Sequence, residues 1–192
     1  MNFLKAQLKT LVKFMSTERV DYAVIGGVAV LAYGEPRFTA DVDVNILLKK
    51  EEIRQFMRRA RHYGIYPLSP KSEKIAKETG VIPLRFKKKD FIGRFDVVLA
   101  ENILEYNAIK RSKIHKIDNV KIKLITPEDL VIHKMASPRP RDYEDLRGIL
   151  ARQRHRLDLK YIIFWLKKID QTSPEAQLEK SFLQLFKEMI SP

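Results

Sequence analysis

Residues 41–48, Asp-Val-Asp-Val-Asn-Ile-Leu-Leu, carry an apolar side chain at every second position: Val42, Val44, Ile46 and Leu48. A period of two is the pattern of a strand with one buried face, so the chain has to build a sheet with its core under one side of this segment. The other side carries Asp41, Asp43 and Asn45. Asp is a poor strand former, and two carboxylates on one strand face repel unless a cation sits between them. Hard oxygen donors suit magnesium, which is a first hint of phosphate chemistry. The plainer alternative is a solvated strand face, because exposed Asp is common.

A third acid strengthens the metal reading. In Arg94-Phe95-Asp96-Val97-Val98-Leu99, Asp96 lies between apolar neighbours on a second expected strand. If the two strands pair, three carboxylates converge, enough for the one or two metal ions of in-line phosphoryl or nucleotidyl transfer. Upstream, Tyr22-Ala23-Val24-Ile25 reads as a short buried strand that ends at Gly26-Gly27, with a helix leaving that turn. Glycines there let the backbone approach a ligand, and free N–H groups at a helix start suit a phosphate; a plain turn is the alternative.

The rest of the chain supplies the frame. Residues 3–17 have helical spacing, with Lys5, Lys9 and Lys13 opposite the apolar stripe, and 51–63 follow with Ile53, Phe56, Met57 and Ala60 inward. Residues 65–80 read as a loop before a short helix, given Pro67 and Pro70. Strands are expected at 81–86 and 94–99, joined by a basic turn at 87–90, then a hairpin around Asp118-Asn119. Thr126-Pro127-Glu128-Asp129 is a helix start, and further helices are expected at 141–153, 157–168 and 174–190. The fold class is α+β: a small mixed sheet flanked by helices over 1–125, then a helical region over 126–192.

With 192 residues there is room for one good-sized core. The absence of cysteine excludes disulfides, thiolate metal sites and cysteine nucleophiles. No stretch approaches the roughly 18 apolar residues of a membrane span, and Met1–Lys5 lacks the core of a signal peptide, so a soluble cytoplasmic protein is expected. Lys and Arg number 37 against 24 Asp and Glu, a net +13. Such a surplus suits RNA or a nucleotide, or else reflects a Lys/Glu-rich surface. His62, His115, His133 and His155 show no metal-ligand spacing, His133 being expected on the surface, and Trp165 reads as helix core.

Gly26-Gly27, a spacer, Asp41-Val42-Asp43 and a later Asp96 together resemble the polymerase-β-type nucleotidyltransferase superfamily. Arg37-Phe38-Thr39-Ala40 is similar to the Arg-x-Thr-x lead-in of its small prokaryotic members. Lys134 and Arg141-Asp142-Tyr143-Glu144-Asp145 resemble the helical region of its abortive-infection toxin-like branch. The match spans roughly residues 21–150.

The resemblance implies that Gly26 and Gly27 contact a triphosphate. Asp41, Asp43 and Asp96 would bind magnesium (two ions, or manganese in their place), with Asp96 helping to activate an acceptor hydroxyl. Lys134 would contact phosphate, and Asp142 would orient Lys134 or the base. Arg37 and Thr39 would position the acidic strand or touch phosphate. Arg85 and the lysine turn are candidates for acceptor binding. The implied partners are an NTP, then tRNA or another RNA as acceptor, a protein hydroxyl or small molecule after it, and a cognate antitoxin or partner protein. A non-catalytic nucleotide- or RNA-binding module and a phosphohydrolase are the rival readings.

Overall fold

The Asp41–Ile46 segment lies inside a seven-stranded mixed sheet. The computed structural model describes residues 3–88, 91–137 and 139–190, so the expected basic turn at 87–90 falls partly outside the described residues, at Lys89 and Asp90. In chain order the elements are α1 (Phe3–Thr17), β1 (Tyr22–Val24), α2 (Gly26–Tyr33), β2 (Asp41–Ile46), α3 (Ile53–Ala60), β3 (Ile65–Pro67), α4 (Ser72–Thr79) and β4 (Val81–Lys88). They continue with β5 (Phe91–Leu99), α5 (Ile103–Arg111), β6 (Lys113–Ile117), β7 (Val120–Leu124), α6 (Pro127–Met135), α7 (Pro140–Gln153), α8 (Leu159–Thr172) and α9 (Leu178–Ile190).

The chain divides into two units, residues 1–28 with 38–125 and residues 29–37 with 126–192. The first holds the whole sheet, in the order β3-β4-β5-β2-β1-β7-β6. The β2–β5 and β1–β7 pairings are parallel and the others antiparallel. Alternation fixes the core: Val42, Val44 and Ile46 of β2 and Phe95, Val97 and Leu99 of β5 are all buried. Each such side chain taken from water contributes about 1.5–3 kcal/mol. Helix α1 buries Leu8, Leu11 and Met15, as its spacing predicts, and also Gln7 and Phe14. It lies so near β5 that a Cβ on Gly93 would stand 2.3 Å from Gln7 Nε2, which accounts for a glycine there. The Asp118-Asn119 turn has φ of +48° and +65°, the left-handed pair that tight hairpins require.

Two elements differ from the sequence expectation. Residues 65–67 form strand β3 rather than loop; β3 is the edge strand, where a proline such as Pro67 breaks no ladder. Residues 103–111 form a helix that apolar spacing did not disclose, started by Asn102, whose side chain accepts a hydrogen bond from Glu105 N.

In the second unit α6 starts as predicted, with the Thr126 hydroxyl accepting from Asp129 N and Pro127 in the first turn. Helices α7, α8 and α9 bury Leu146, Ile149 and Leu150, Ile162, Trp165 and Leu166, and Leu178, Phe182 and Leu185 respectively. The carbonyls that end α2 are taken up by α7: Arg152 Nη1 donates to Gly34 O at 2.6 Å and Gln153 Nε2 to Tyr33 O at 3.1 Å. Among the described residues no helix is long and apolar enough to cross a membrane.

Candidate active site

Strand β2 is held on one side by β1 and on the other by β5. The β2–β5 register pairs Asp41 with Arg94 and Asp43 with Asp96. Partners in a ladder point to the same face, so the three acids and Arg94 share one side of the sheet. Along that side of β2 exposure falls from Asp41, which is exposed, through half-buried Asp43 to Asn45, which is 1% exposed. Neither amide atom of Asn45 has a hydrogen-bond partner among the described residues. Asn45 thus shares the acids' face as expected, but at its buried end.

Gly26 meets the acidic strand closely. Its φ is +60°, and an added Cβ would stand 2.0 Å from Asp43 Oδ2. Two independent constraints, a left-handed backbone and the adjoining carboxylate, therefore require glycine at this position. The preceding residue anchors the approach, Ile25 N donating to Asp43 O at 2.9 Å. Gly27 is buried in the first turn of α2. Thr39 Oγ1 donates to Asp41 O at 3.1 Å, bracing the start of β2.

The positive charge among the acids is Arg94. Its Nε donates to Asp96 Oδ1 at 2.9 Å. The hydrogen bond to Asp96, then the fields of Asp96, Asp41 and Asp43, outweigh partial burial and hold the guanidinium further on its protonated side. Among the described residues no three His, Asp or Glu side chains stand close enough to form a metal cage as they are. The donor chemistry nevertheless fits a hard divalent cation: three carboxylates on one face, with Asp96 turned to a half-exposed arginine. An exposed pair of that kind is worth about 0–1 kcal/mol, so turning Asp96 away costs little.

The remaining candidates, Arg37, Lys134 and Asp142, lie in the second unit and form a network there. Lys134 Nζ is buried and donates to Asp142 Oδ1 and, at 2.7 Å, to Asp145 Oδ2. Arg37 grips Asp145 with Nε at 2.6 Å and Nη2 at 2.8 Å, the bidentate geometry a guanidinium favours. Asp142 also accepts from Ser137 Oγ and from Arg139 Nε at 2.6 Å. Burial alone would raise both carboxyl pKa values. Hydrogen bonds from Lys134, Ser137 and Arg139 to Asp142, and from Arg37 and Lys134 to Asp145, outweigh it and leave both below the usual carboxylate value. Asp142 is 3% exposed, an internal acid rather than a surface one.

Arg94, Asn45 and Asp145 were not singled out from the sequence. Asp145 had a signal, lying one helical turn after Asp142 within the quoted motif. Arg94 is two residues before Asp96 on the same strand face, but its role depends on the parallel pairing with β2. His133, expected on the surface, is half-buried, and its Nε2 is enclosed without a partner among the described residues. Burial, seconded by Lys134 and opposed by Asp129, holds its imidazole below the ordinary value.

A family model described as "Nucleotidyltransferase of unknown function (DUF6036)" matches residues 3–187. Among solved structures, an antigenic nucleotidyltransferase-like protein from Paracoccidioides brasiliensis superposes with a TM-score of 0.53 at 16% identity, covering 93% of this chain and 92% of its own. The antibiotic-resistance factor ANT(2'')-Ia in solution gives 0.53 at 10% identity, with coverages of 98% and 96%. ANT(2")-Ia in complex with adenylyl-2"-tobramycin gives 0.51 at 10% identity, with coverages of 77% and 88%. At such identities the likeness is one of fold. No curated protein matches the chain at a significant level.

Proposed function

Since the chain belongs to the nucleotidyltransferase family DUF6036, we propose that it transfers a nucleoside monophosphate from an NTP to an acceptor hydroxyl. The acceptor oxygen attacks the α-phosphorus, the bond to the β-phosphate breaks, and pyrophosphate leaves; the hydroxyl proton passes to a site carboxylate. The observation that carries this reading is the parallel register that sets Asp43 beside Asp96, with Asp41 on the same face and Gly26 against Asp43.

Asp41, Asp43 and Asp96 would hold magnesium, or manganese in its place, which when bound supplies positive charge to the phosphates. Asp96 receives the acceptor proton once it has turned from Arg94. Gly26 and Gly27, lacking side chains, leave backbone N–H groups open to phosphate oxygens. Thr39 keeps the first acid in line through its bond to the Asp41 carbonyl. Nucleotide-binding roles for Lys134, Asp142 and Arg37 rest on the resemblance of their motifs alone; the Lys134 ammonium is buried and taken up by Asp142 and Asp145, so a phosphate contact would require it to leave them. The net +13 favours RNA, tRNA ends included, over a protein hydroxyl or a small molecule as acceptor. A cytoplasmic site of action and a cognate antitoxin or other partner protein belong to the same reading.

Incubation with labelled NTPs, magnesium and RNA tests it. Wild type should transfer label and release pyrophosphate. Asp41→Ala and Asp43→Ala should each lose about 100-fold or more, the scale of losing several kcal/mol of metal-borne stabilisation. Undiminished transfer by either variant would sink the assignment.

The Arg94–Asp96 ion pair supports a second reading, a non-catalytic nucleotide- or RNA-binding module whose acids are neutralised by protein alone. That module would bind NTP equally with or without magnesium and would be indifferent to Asp96→Asn.

A further inference from the structure

The face that bears the acids does not end at β5. Register links Asp41 to Arg94, Arg94 to Arg85 on β4, and Arg85 to Tyr66 on β3. These four residues therefore form one row across four strands, all on the same side, and all four are solvent-exposed. Three strand spacings make the row roughly 14 Å long. Its β3 end opens into a groove of about 780 Å³. The far wall is α3 and the turn after it, where Arg54, Arg58 and Arg61 recur at helical spacing as a single stripe, with Met57 beside them in the groove and Phe56 buried on the other side of the helix. Arg85 and Tyr66 form the near wall, with Leu68 beside them.

The charges of this groove are unbalanced. Glu73 is its one acid, and it is engaged by Arg54 and Lys77. The side chains of Arg58, Arg61 and Arg85 make no hydrogen bond or ion pair with any described residue. Tyr66 is 36% exposed and Leu68 43% exposed within the same groove, so an aromatic ring and an apolar surface lie among free guanidinium groups. Free cations that track a backbone, interleaved with a ring on which a base can stack, are the physics of single-stranded nucleic-acid binding. A polycationic acceptor would be repelled, and a lone small anion would leave most of the groove unused.

We propose that the Arg54-Arg58-Arg61 stripe, Arg85 and Tyr66 form the track for a single-stranded nucleic-acid acceptor, delivering its terminal hydroxyl along the Arg85–Arg94 row to Asp41. Identifying the strand as the acceptor rests on the transferase reading; the track itself does not. Phosphates would pair with Arg58, Arg61 and Arg85, and a base would stack on Tyr66.

Fluorescence anisotropy with labelled oligo(U) and oligo(dT), without NTP or magnesium, tests the track apart from catalysis. Arg58→Ala, Arg61→Ala and Arg85→Ala should each weaken binding about fivefold or more whatever the base. Each should also flatten the log K against log salt slope by about 0.7. Tyr66→Ala should cost about tenfold. Lys116→Ala, an exposed lysine on the opposite edge strand β6, is the control and should bind as wild type. A difference between the RNA and DNA probes would name the sugar that the track prefers.

The proposal is overturned if Lys116→Ala weakens binding as much as the groove variants, which would reduce the effect to net charge. It is also overturned if duplex binds as tightly as single strand, or if polyglutamate competes equally, which would make the groove a site for an acidic protein. Loss of binding in the groove variants, beside retained binding and lost transfer in Asp43→Asn, supports both readings. Binding that maps to the groove in a wild type that transfers nothing supports the track and counts against the transferase.

Discussion

Asp43 and Asp96 stand opposite one another in the parallel β2–β5 ladder. Strand spacing holds their Cα atoms about 5 Å apart, and neither can withdraw without breaking the ladder. A cation held by one would therefore feel the other, the sheet rather than a loop fixing their separation.

Gly26→Ala should damage both stability and the site. The left-handed backbone alone costs an alanine about 1–2 kcal/mol, and the new methyl would meet Asp43 Oδ2 at 2.0 Å. At about 2–4 °C per kcal/mol for a chain this size, the melting temperature should fall by several degrees. Manganese affinity should fall with it. Unchanged values in scanning calorimetry and in a manganese titration would contradict the close approach.

Removing Arg94 should make the acids more receptive. Arg94→Gln takes away the cation that pairs with Asp96, and an exposed pair of this kind is worth at most about 1 kcal/mol. Divalent-metal affinity should rise, by up to about fivefold. Isothermal titration with manganese reads this directly. A loss of metal affinity would mean that Arg94 supports the site instead of competing within it.

Lys134→Met should be among the most destabilising single changes in the second unit. It leaves Asp142 and Asp145, each about 4% exposed at the side chain, without their shared ammonium. Breaking a buried pair by deleting one partner costs about 3–5 kcal/mol. Urea denaturation should show the loss. A cost below about 1 kcal/mol would mean that Arg37 and Arg139 alone suffice to hold the two acids.

His133 should make stability depend on pH below neutrality. Its folded-state pKa lies below the ordinary 6.5, so the unfolded chain binds the extra proton first. Stability is then fully present above about pH 6.5 and declines as pH falls through that value toward the lower folded one. The slope is at most about 1.4 kcal/mol per pH unit. Melting curves between pH 7.5 and pH 5 (roughly the range in which an unperturbed histidine titrates) should show it, and His133→Gln should flatten them. Asp142 and Asp145, held below their usual value, add a separate loss only at more acid pH, below about 4.

Local chemistry was legible wherever one short segment carried the whole signal. The alternation of 41–46, the left-handed pair at Asp118-Asn119 and the Thr126-Pro127 helix start all lie within a few residues. What escaped notice depended on partners distant in the chain. Arg94 joins the acids only because β5 runs parallel to β2, and nothing local encodes that register. Asn45 looks like any polar residue on an outward strand face, yet it is 1% exposed in the fold. The α5 helix did have a local mark, Asn102 followed by Glu105, but its apolar face is weakly periodic. For Lys134 the motif was readable, whereas its enclosure by two carboxylates required the packing of α6 against α7.

The close seating of α1 on β5 also sets an order of events during synthesis. Gln7 Nε2 donates to Arg94 O at 3.3 Å, across a separation of 87 residues in the chain. At ribosomal rates of about 5–20 residues per second, α1 waits roughly 4–17 s for the strand it backs. Phe14 meets Phe56 and Tyr63 earlier in that interval, whereas Gln7 and Phe3 wait for Gly93 and Arg94. The acidic strand β2 likewise has no parallel mate until β5 is made. The nascent chain is thus born with a sticky amphipathic helix and an unpaired strand edge, a natural client for whatever shields such surfaces as they leave the ribosome.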